Sequence, residues 1–357
     1  MTVSAAPLAT PRRGTFHASQ LKLATDPYRR LVAILLIMTI SRIHQHFGFL
    51  DPLRPALVLT ILAGAYAYMN PRFLHPGIFE TRPAKLILAM GFMACLSVPF
   101  GISMGASGRF IIEDYSKVIL FAFLVIAGVR FTRDLYTFIW AFVASIGFLS
   151  YLSLFVFKMT KATSDGVSRI LNGYSYDAND IGTVAVVGLP LVLLALTTST
   201  GKKKMVAAFI LLGVGGTIAK TGSRGAFLGL IAVGIGLLVM LKSVPVAKRL
   251  AFVAVTAVAL AFFAPAGYWE QMKTLTSPKE DYNWTSPTGR REVFKRGVNY
   301  TVRHPLTGLG IENFARAEGT LSDRAIAQAR DPSLPGIKWS APHNSFLQAA
   351  AELGIPG

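Results

Sequence analysis

Cysteine is almost missing: Cys95 is the sole thiol among 357 residues. One cysteine excludes an intramolecular disulfide and a zinc–thiolate cluster. Its apolar neighbours read it as a small packing residue. Charge is scarce as well, at 15% of residues, and acid is the scarcer sign: 18 Asp and Glu stand against 36 Lys and Arg, a net charge of +18. This excess does not describe a nucleic-acid binder. The basic residues fall in short loops between apolar runs, and no DNA- or RNA-binding motif is present. A cleavable leader is not expected either. Met1 to Gln20 is polar, carries Pro11-Arg12-Arg13, and has no apolar core before a small-residue cleavage site. Arg12-Arg13 lacks the apolar run a twin-arginine signal needs next.

What the chain has is apolar sequence of hydrocarbon length, with 52% hydrophobic residues. Nine runs are read as spans: about Leu31–Leu50 (interrupted by Arg42, His44 and His46), Pro55–Met69, Ala84–Met104, Ser116–Val129, Leu135–Phe157, Ile181–Thr197, Met205–Ala219, Ala226–Leu241 and Leu250–Ala266. The expected fold is all-α, a polytopic transmembrane helix bundle with a large external loop that contains short helices. Arg29, Arg30, Arg72, Arg82, Lys85, Arg130, Arg133, Lys202, Lys203, Lys204, Lys242, Lys248 and Arg249 all fall on one set of alternate loops. The positive-inside rule makes that set cytoplasmic, with the N-terminus inside. The organisation read from this is a cytoplasmic tail (1–30), a transmembrane bundle (31–266), a periplasmic loop (267–342), and the start of a C-terminal helical part (343–357).

The external loop has structure of its own. Arg290 to Arg303 reads as an amphipathic helix, with Val293, Phe294, Gly297, Val298 and Thr301 on one face. Ser286, Pro287 and Thr288 supply its start, and His304-Pro305 stops it. Ile311 to Arg330 reads as a second, mainly polar helix, and Asn344 to Leu353 as a short helix with Pro342 at its start. The loop's Trp269, Tyr282, Trp284, Phe294, Tyr300, Phe314 and Trp339 suit a cap at headgroup level.

Three cations stand near three external helix starts. Ser223 can cap the eighth span and place Arg224 in its first turn, where free N–H groups and the positive dipole end favour an anion. Arginine there adds a bidentate grip on phosphate. Arg290 and His343 sit similarly. Together they suit a diphosphate leaving group. The plain readings are an arginine snorkelling to headgroups for Arg224, a solvated basic face with Arg291, Lys295 and Arg296 for Arg290, and a capped helix end for His343. Asn179 and Asp180 are explained by capping of the sixth span. Arg42, His44 and His46 read as interfacial anchors. Gly225-x-x-x-Gly229 reads as helix packing, and Gly308-Leu-Gly310 is too short for a phosphate loop.

The chain resembles the O-antigen ligase-related family. The resemblance rests on Asp177-Ala-Asn-Asp-Ile-Gly182, Thr221-Gly-Ser-Arg-Gly-Ala226, Gly289-Arg-Arg-Glu-Val-Phe294, His304-Pro-Leu-Thr-Gly-Leu-Gly-Ile-Glu-Asn-Phe314, Pro342-His-Asn-Ser-Phe-Leu-Gln348 and Ala351-Glu-Leu-Gly-Ile-Pro-Gly357. It covers about Ile170 to the end. It implies a metal-independent glycosyltransferase without a cofactor, in the bacterial inner membrane. Such an enzyme moves a glycan from undecaprenyl diphosphate, at the periplasmic face, to the lipid A core or to a polysaccharide. Membrane lipids and polysaccharide assembly proteins are the other partners it implies. It puts the family's arginine of the Ser-Arg-Gly turn on Arg224, its loop arginine on Arg290 with Phe294 four positions on, and its His-Asn-Ser histidine on His343. Arg291, Asn179 and Asn344 are secondary candidates for holding the diphosphate. His343 as proton acceptor or phosphate binder stays open. Family members continue into further spans beyond the position of Gly357. The alternatives are a repeat-unit polymerase and, from another class, a glycolipid transporter or a non-catalytic assembly subunit. A transporter should carry polar groups and broken helices near the midplane.

Overall fold

The computed structural model describes residues 26–160, 168–171, 175–242, 244–277, 284, 286, 289–334 and 339–357. Pro11, Arg12, Arg13, Tyr282, Pro287 and Thr288 of the sequence reading lie outside them. The described residues are helical and contain no strand; one isolated bridge joins Met159 and Ile170.

Each of the nine apolar runs forms a helix: α1 Pro27–Ser41, α2 Pro55–Met69, α3 Arg82–Ser97, α4 Ser116–Gly128, α5 Thr132–Tyr151, α6 Ala178–Thr198, α7 Gly201–Thr221, α8 Arg224–Met240 and α9 Val246–Phe263. Counted with their flanking turns, six helical segments are long and apolar enough to cross a bilayer: Asp51–Met69, Arg82–Phe100, Thr132–Val156, Ala178–Thr198, Gly201–Thr221 and Val246–Phe263. The protein is an all-α polytopic helix bundle. The first helix is shorter than its apolar run. Arg42 adopts a left-handed conformation (φ 53°) and ends α1 at Ser41, so His44 and His46 belong to a separate turn, Ile43–His46. A further helical stretch, Met104–Phe110 and one π-helical turn Ile111–Tyr115, leads into α4.

Helix association in a bilayer relies on close packing and small residues rather than on hydrophobic drive. The central cluster follows that rule. α5, α6, α7 and α9 enclose Val143, Ile146, Leu189, Val192, Leu211, Val214, Ile218 and Leu260. A Cβ on Gly188 would run into Ile146, and one on Gly215 would lie 2.7 Å from the Ala259 Cβ. A second cluster joins α1, α2, α4 and α5 around Tyr28, Val32, Leu35, Leu124 and Phe138. Gly229 of the G-x-x-x-G pair packs on Val186 of α6. Cys95, read as a packing residue, is instead exposed, and lines an apolar crevice between α3 and α4.

Contacts sort the loops into two ends. At one end the Arg29 Nε lies 3.1 Å from the Asp134 Oδ1, both buried, and donates to the Gly128 carbonyl. There too Arg130 Nη1 donates to the Arg72 carbonyl, and His75 N–H to that of Ala127. At the other end Arg42 stacks over Tyr176, Gln45 Oε1 accepts from Ser175, and Ile170 N–H donates to the Lys220 carbonyl. The strongly basic loops share the first end.

The second end carries a cap of four short helices: α10 Tyr268–Lys273, α11 Arg290–Arg303, α12 Phe314–Thr320 and α13 Asp323–Arg330. The single helix expected over Ile311–Arg330 is two, because the Ser322 side chain accepts from Ala325 N–H and starts α13 afresh. α14, Ser345–Leu353, follows the cap. Val293, Tyr300, Leu309, Phe314, Ala317 and Ala351 form the cap's own core. α11 therefore buries Val293, Gly297 and Tyr300, while Phe294 and Val298, read on the same face, stay exposed.

Candidate active site

The first element of the site is the turn between α7 and α8. Gly222 takes φ 58° and ends α7, a left-handed position that glycine fills at no steric cost. Thr221 Oγ1 accepts from Ser223 N–H, and Ser223 Oγ accepts from Ala226 N–H at 3.2 Å. Serine thus caps α8, and Arg224 is its first residue. The first turn of α8 has no acidic residue, so the dipole's positive end and the guanidinium reinforce each other. Arg224 Nη1 donates to Thr274 Oγ1 at 2.9 Å, and Thr274 in turn donates to the Gln271 carbonyl. Beside them Phe227 meets Tyr268 and Trp269 edge-on. Burial pushes the Tyr268 phenol up to about 12. Its hydroxyl and Gln271 Oε1 are buried without a hydrogen-bond partner among the described residues. Sequence reading missed Thr274, Tyr268 and Gln271. An apolar cleft of about 300 Å³ opens between α8 and α9, and its lining begins at Phe227, within a turn of Arg224.

The start of α6 is docked on this turn. Asp177 and Asp180 form a reciprocal capping box, with Asp180 N–H donating to Asp177 Oδ1 at 2.8 Å and Asp177 N–H to Asp180 Oδ2 at 3.1 Å. Capping therefore accounts for Asp180 but not for Asn179. That residue is half-buried in the first turn of α6, and among the described residues its side chain has no hydrogen-bond partner while its carbonyl accepts from Thr183 Oγ1. A Cβ on Gly182 would lie 2.7 Å from the Ala226 Cβ and 3.5 Å from the Ser223 Cβ. Two sequence motifs far apart in the chain are thus one packed unit.

The second element is the α11–α14 pair. Gly297 packs on Leu347, and Ile355 N–H donates to the Pro305 carbonyl at 2.9 Å. Arg290 is the first residue of α11, and His343 stands one residue before the cap of α14. The helix start differs from the sequence reading. Gly289 is the N-cap of α11, and its N–H donates to the Ser286 carbonyl. The basic run that follows is sorted by its partners. Lys295 pairs with Glu292 at 2.8 Å. Arg291 stands over the Trp284 ring. Arg296 grips the buried Glu318 through Nε and Nη2, at 2.8 and 2.6 Å, while Tyr300 donates to the same carboxylate. Arg290 is exposed and has no ion-pair partner among the described residues.

His343 does not lie in the first turn of its helix. Asn344 is the cap, its Oδ1 accepting from Leu347 N–H at 3.0 Å, and His343 precedes it with φ 51°. A non-glycine residue in the left-handed region is uncommon and is stored strain. The exposed imidazole is set off the helix on a fixed corner rather than along its axis.

The His304–Phe314 segment is a clamp. Leu309 N–H donates to the Ala351 carbonyl, and Gly310 N–H to that of Glu352. Ile102 N–H donates to the Leu309 carbonyl, and Ile311 N–H to Ser97 Oγ. Asn313 Nδ2 and the Ile311 carbonyl both engage Ser107 Oγ. Gly310 has φ 86°, and a Cβ there would lie 2.6 Å from the Gly101 Cα. The glycines allow backbone-on-backbone contact; they do not cradle phosphate. Glu352 closes the clamp: its buried carboxylate accepts from Glu312 and Phe314 N–H, each at 3.0 Å. Burial raises its pKa against the pull of those two bonds.

Arg224, Arg290 and His343 thus belong to two units at one end of the bundle. No curated protein and no solved structure matches the chain. The family model described as O-antigen ligase (Wzy_C) matches residues 206–357, which take in the Arg224 turn, the cap and α14. From Val206, in the second turn of α7, to Gly357, the chain is similar to the O-antigen ligase family.

Proposed function

We infer that the protein is an O-antigen ligase-type glycosyltransferase. It takes a glycan from undecaprenyl diphosphate and gives it to a lipid A core at the periplasmic face of the inner membrane. The observation that carries this reading is the Arg224 turn. A cation stands at the first position of a capped, acid-free helix start, oriented by Thr274, with an apolar cleft opening within a turn of it. A diphosphate fits the cation and helix end, and the cleft of about 300 Å³ takes the first isoprene units of the same molecule. Breaking the anomeric C–O bond leaves charge on the diphosphate, which fixed cations stabilise. Arg224 and Arg290 take that charge, with Arg291, Asn179 and Asn344 at its margin. His343 accepts the acceptor hydroxyl's proton or holds the diphosphate. Placing the basic loops of the opposite end in the cytoplasm puts this end outside.

Buried polar groups favour an enzyme over a transporter. Among the described residues the buried charged side chains are Asp26, Arg29, Asp134, Glu318 and Glu352, all at the bundle's ends or in the cap. The buried hydroxyls of Ser145, Ser153, Thr217 and Thr256 bond to carbonyls of their own helices.

The test is the glycan profile of a deletion strain, read in lipopolysaccharide and on the lipid carrier. Full-length polymer stranded on the carrier beside bare lipid A core is the expected result. Single repeat units with no long chains would assign repeat-unit polymerisation instead. An unchanged profile would refute glycosyl transfer.

A further inference from the structure

α11 has two apolar arcs, and the cap uses only one. Val293, Gly297 and Tyr300 are buried in it. Phe294, Val298 and Val302, spaced by four residues on the next arc, are 46%, 42% and 70% exposed, and Leu306 beyond the helix is 73% exposed. Ile355, bonded to Pro305, continues the patch and is also exposed. Cations accompany it: Arg291 and Lys295 sit on the N-terminal half of the same arc, and Arg303 follows it, all exposed. The clamp residues that follow α11 are seated on the end of α3, where Leu96, Phe100, Ile102 and Met104 present exposed apolar side chains. The exposed apolar end of α3 is therefore tied to the segment that follows the α11 stripe.

We propose that α11 lies on the membrane surface, its Phe294–Val298–Val302 stripe with Leu306 and Ile355 immersed at the headgroup–acyl boundary of an anionic phospholipid leaflet. Apolar stripes flanked by Lys and Arg bind interfaces in this way, about 5–10 Å deep, and the long basic side chains reach back to headgroups. The seat fixes the α11 start, and Arg290 with it, at headgroup depth.

The test is electron paramagnetic resonance on the full chain in lipid nanodiscs. Cys95→Ser removes the sole native thiol, and a nitroxide is placed on Val298→Cys or Val302→Cys, with Asn299→Cys on the polar arc as reference. In discs containing phosphatidylglycerol, the labels at 298 and 302 should collide with oxygen far more than with a water-soluble nickel chelate, and the label at 299 should do the reverse. Both stripe labels should become shallower in discs of phosphatidylcholine alone. Nickel access at 298 and 302 equal to that at 299 would overturn the proposal. Protection from both reagents would also overturn it, since a protein surface would then cover the stripe. Equal depth in the two lipid compositions would remove the anionic leaflet from it.

Discussion

Arg224, Arg290 and His343 are held by different means. Arg224 is tied by a side chain 50 residues away, Arg290 by helix position alone, and His343 by a strained backbone corner. A hydrogen bond to a charged group contributes about 1.5–3 kcal/mol. Thr274→Val should therefore lower glycan transfer by roughly tenfold or more with the protein still in the membrane, and Thr274→Ser should restore it, as assayed on the purified chain. Glu352 makes a second prediction, in stability. Its folded pKa is raised from 4.5 by burial, so its contribution is fully present below about pH 4.5 and declines as pH rises through the folded value. Relative to Glu352→Gln, the wild type should gain thermal stability as pH falls from 7 toward 4, measured in detergent. Arg224 was legible because its helix start is written locally, in Gly-Ser-Arg after an apolar run. Thr274 and Glu352 were not, because each acts on a partner that only tertiary packing brings near.

At the scale of elements, hydropathy located the nine bundle helices, since apolar length is a local property. It failed where a single backbone angle decides, as at Arg42, where a left-handed residue ends α1 well short of Leu50. It failed again at Ser322, which caps α13 and divides the expected helix. Periodicity found the apolar side of α11 but not which of two adjacent arcs the cap would cover. Motif pairing was likewise hidden, because nothing local joins Gly182 to Ala226. That contact yields a compensation test. Gly182→Ala should push α6 off the Arg224 turn and depress transfer, and the added Ala226→Gly should recover most of it. Gly310→Ala allows no such repair, since Gly310 is itself left-handed and the obstacle is the Gly101 backbone. Loss of cap protection from protease is the expected readout.

Over the whole molecule, the two ends do separate work. The end holding Arg29 and Asp134 is a lock between α1 and α5, far along the bundle from Arg224. Removing one partner of a buried ion pair costs about 3–5 kcal/mol, whereas an apolar pair of similar volume is nearly neutral. Asp134→Leu should therefore reduce yield and melting temperature in detergent, Arg29→Met/Asp134→Leu should recover only the part owed to the unpaired charge, because Asp134 Oδ2 also accepts from Arg130 and Phe131 N–H at the start of α5, and turnover per folded molecule should stay near wild type. The opposite end gathers the α6 start, the Arg224 turn, the clamp and the cap, and there the chemistry is assigned. The most direct test of that assignment is transfer by the purified chain in proteoliposomes, given a lipid-diphosphate-linked glycan and an acceptor, comparing wild type with Arg224→Lys. Lysine keeps the charge but loses the planar two-point grip. The expected result is a loss of about a hundredfold or more with donor glycan left on its carrier. Transfer by Arg224→Lys at the wild-type rate would contradict the assignment.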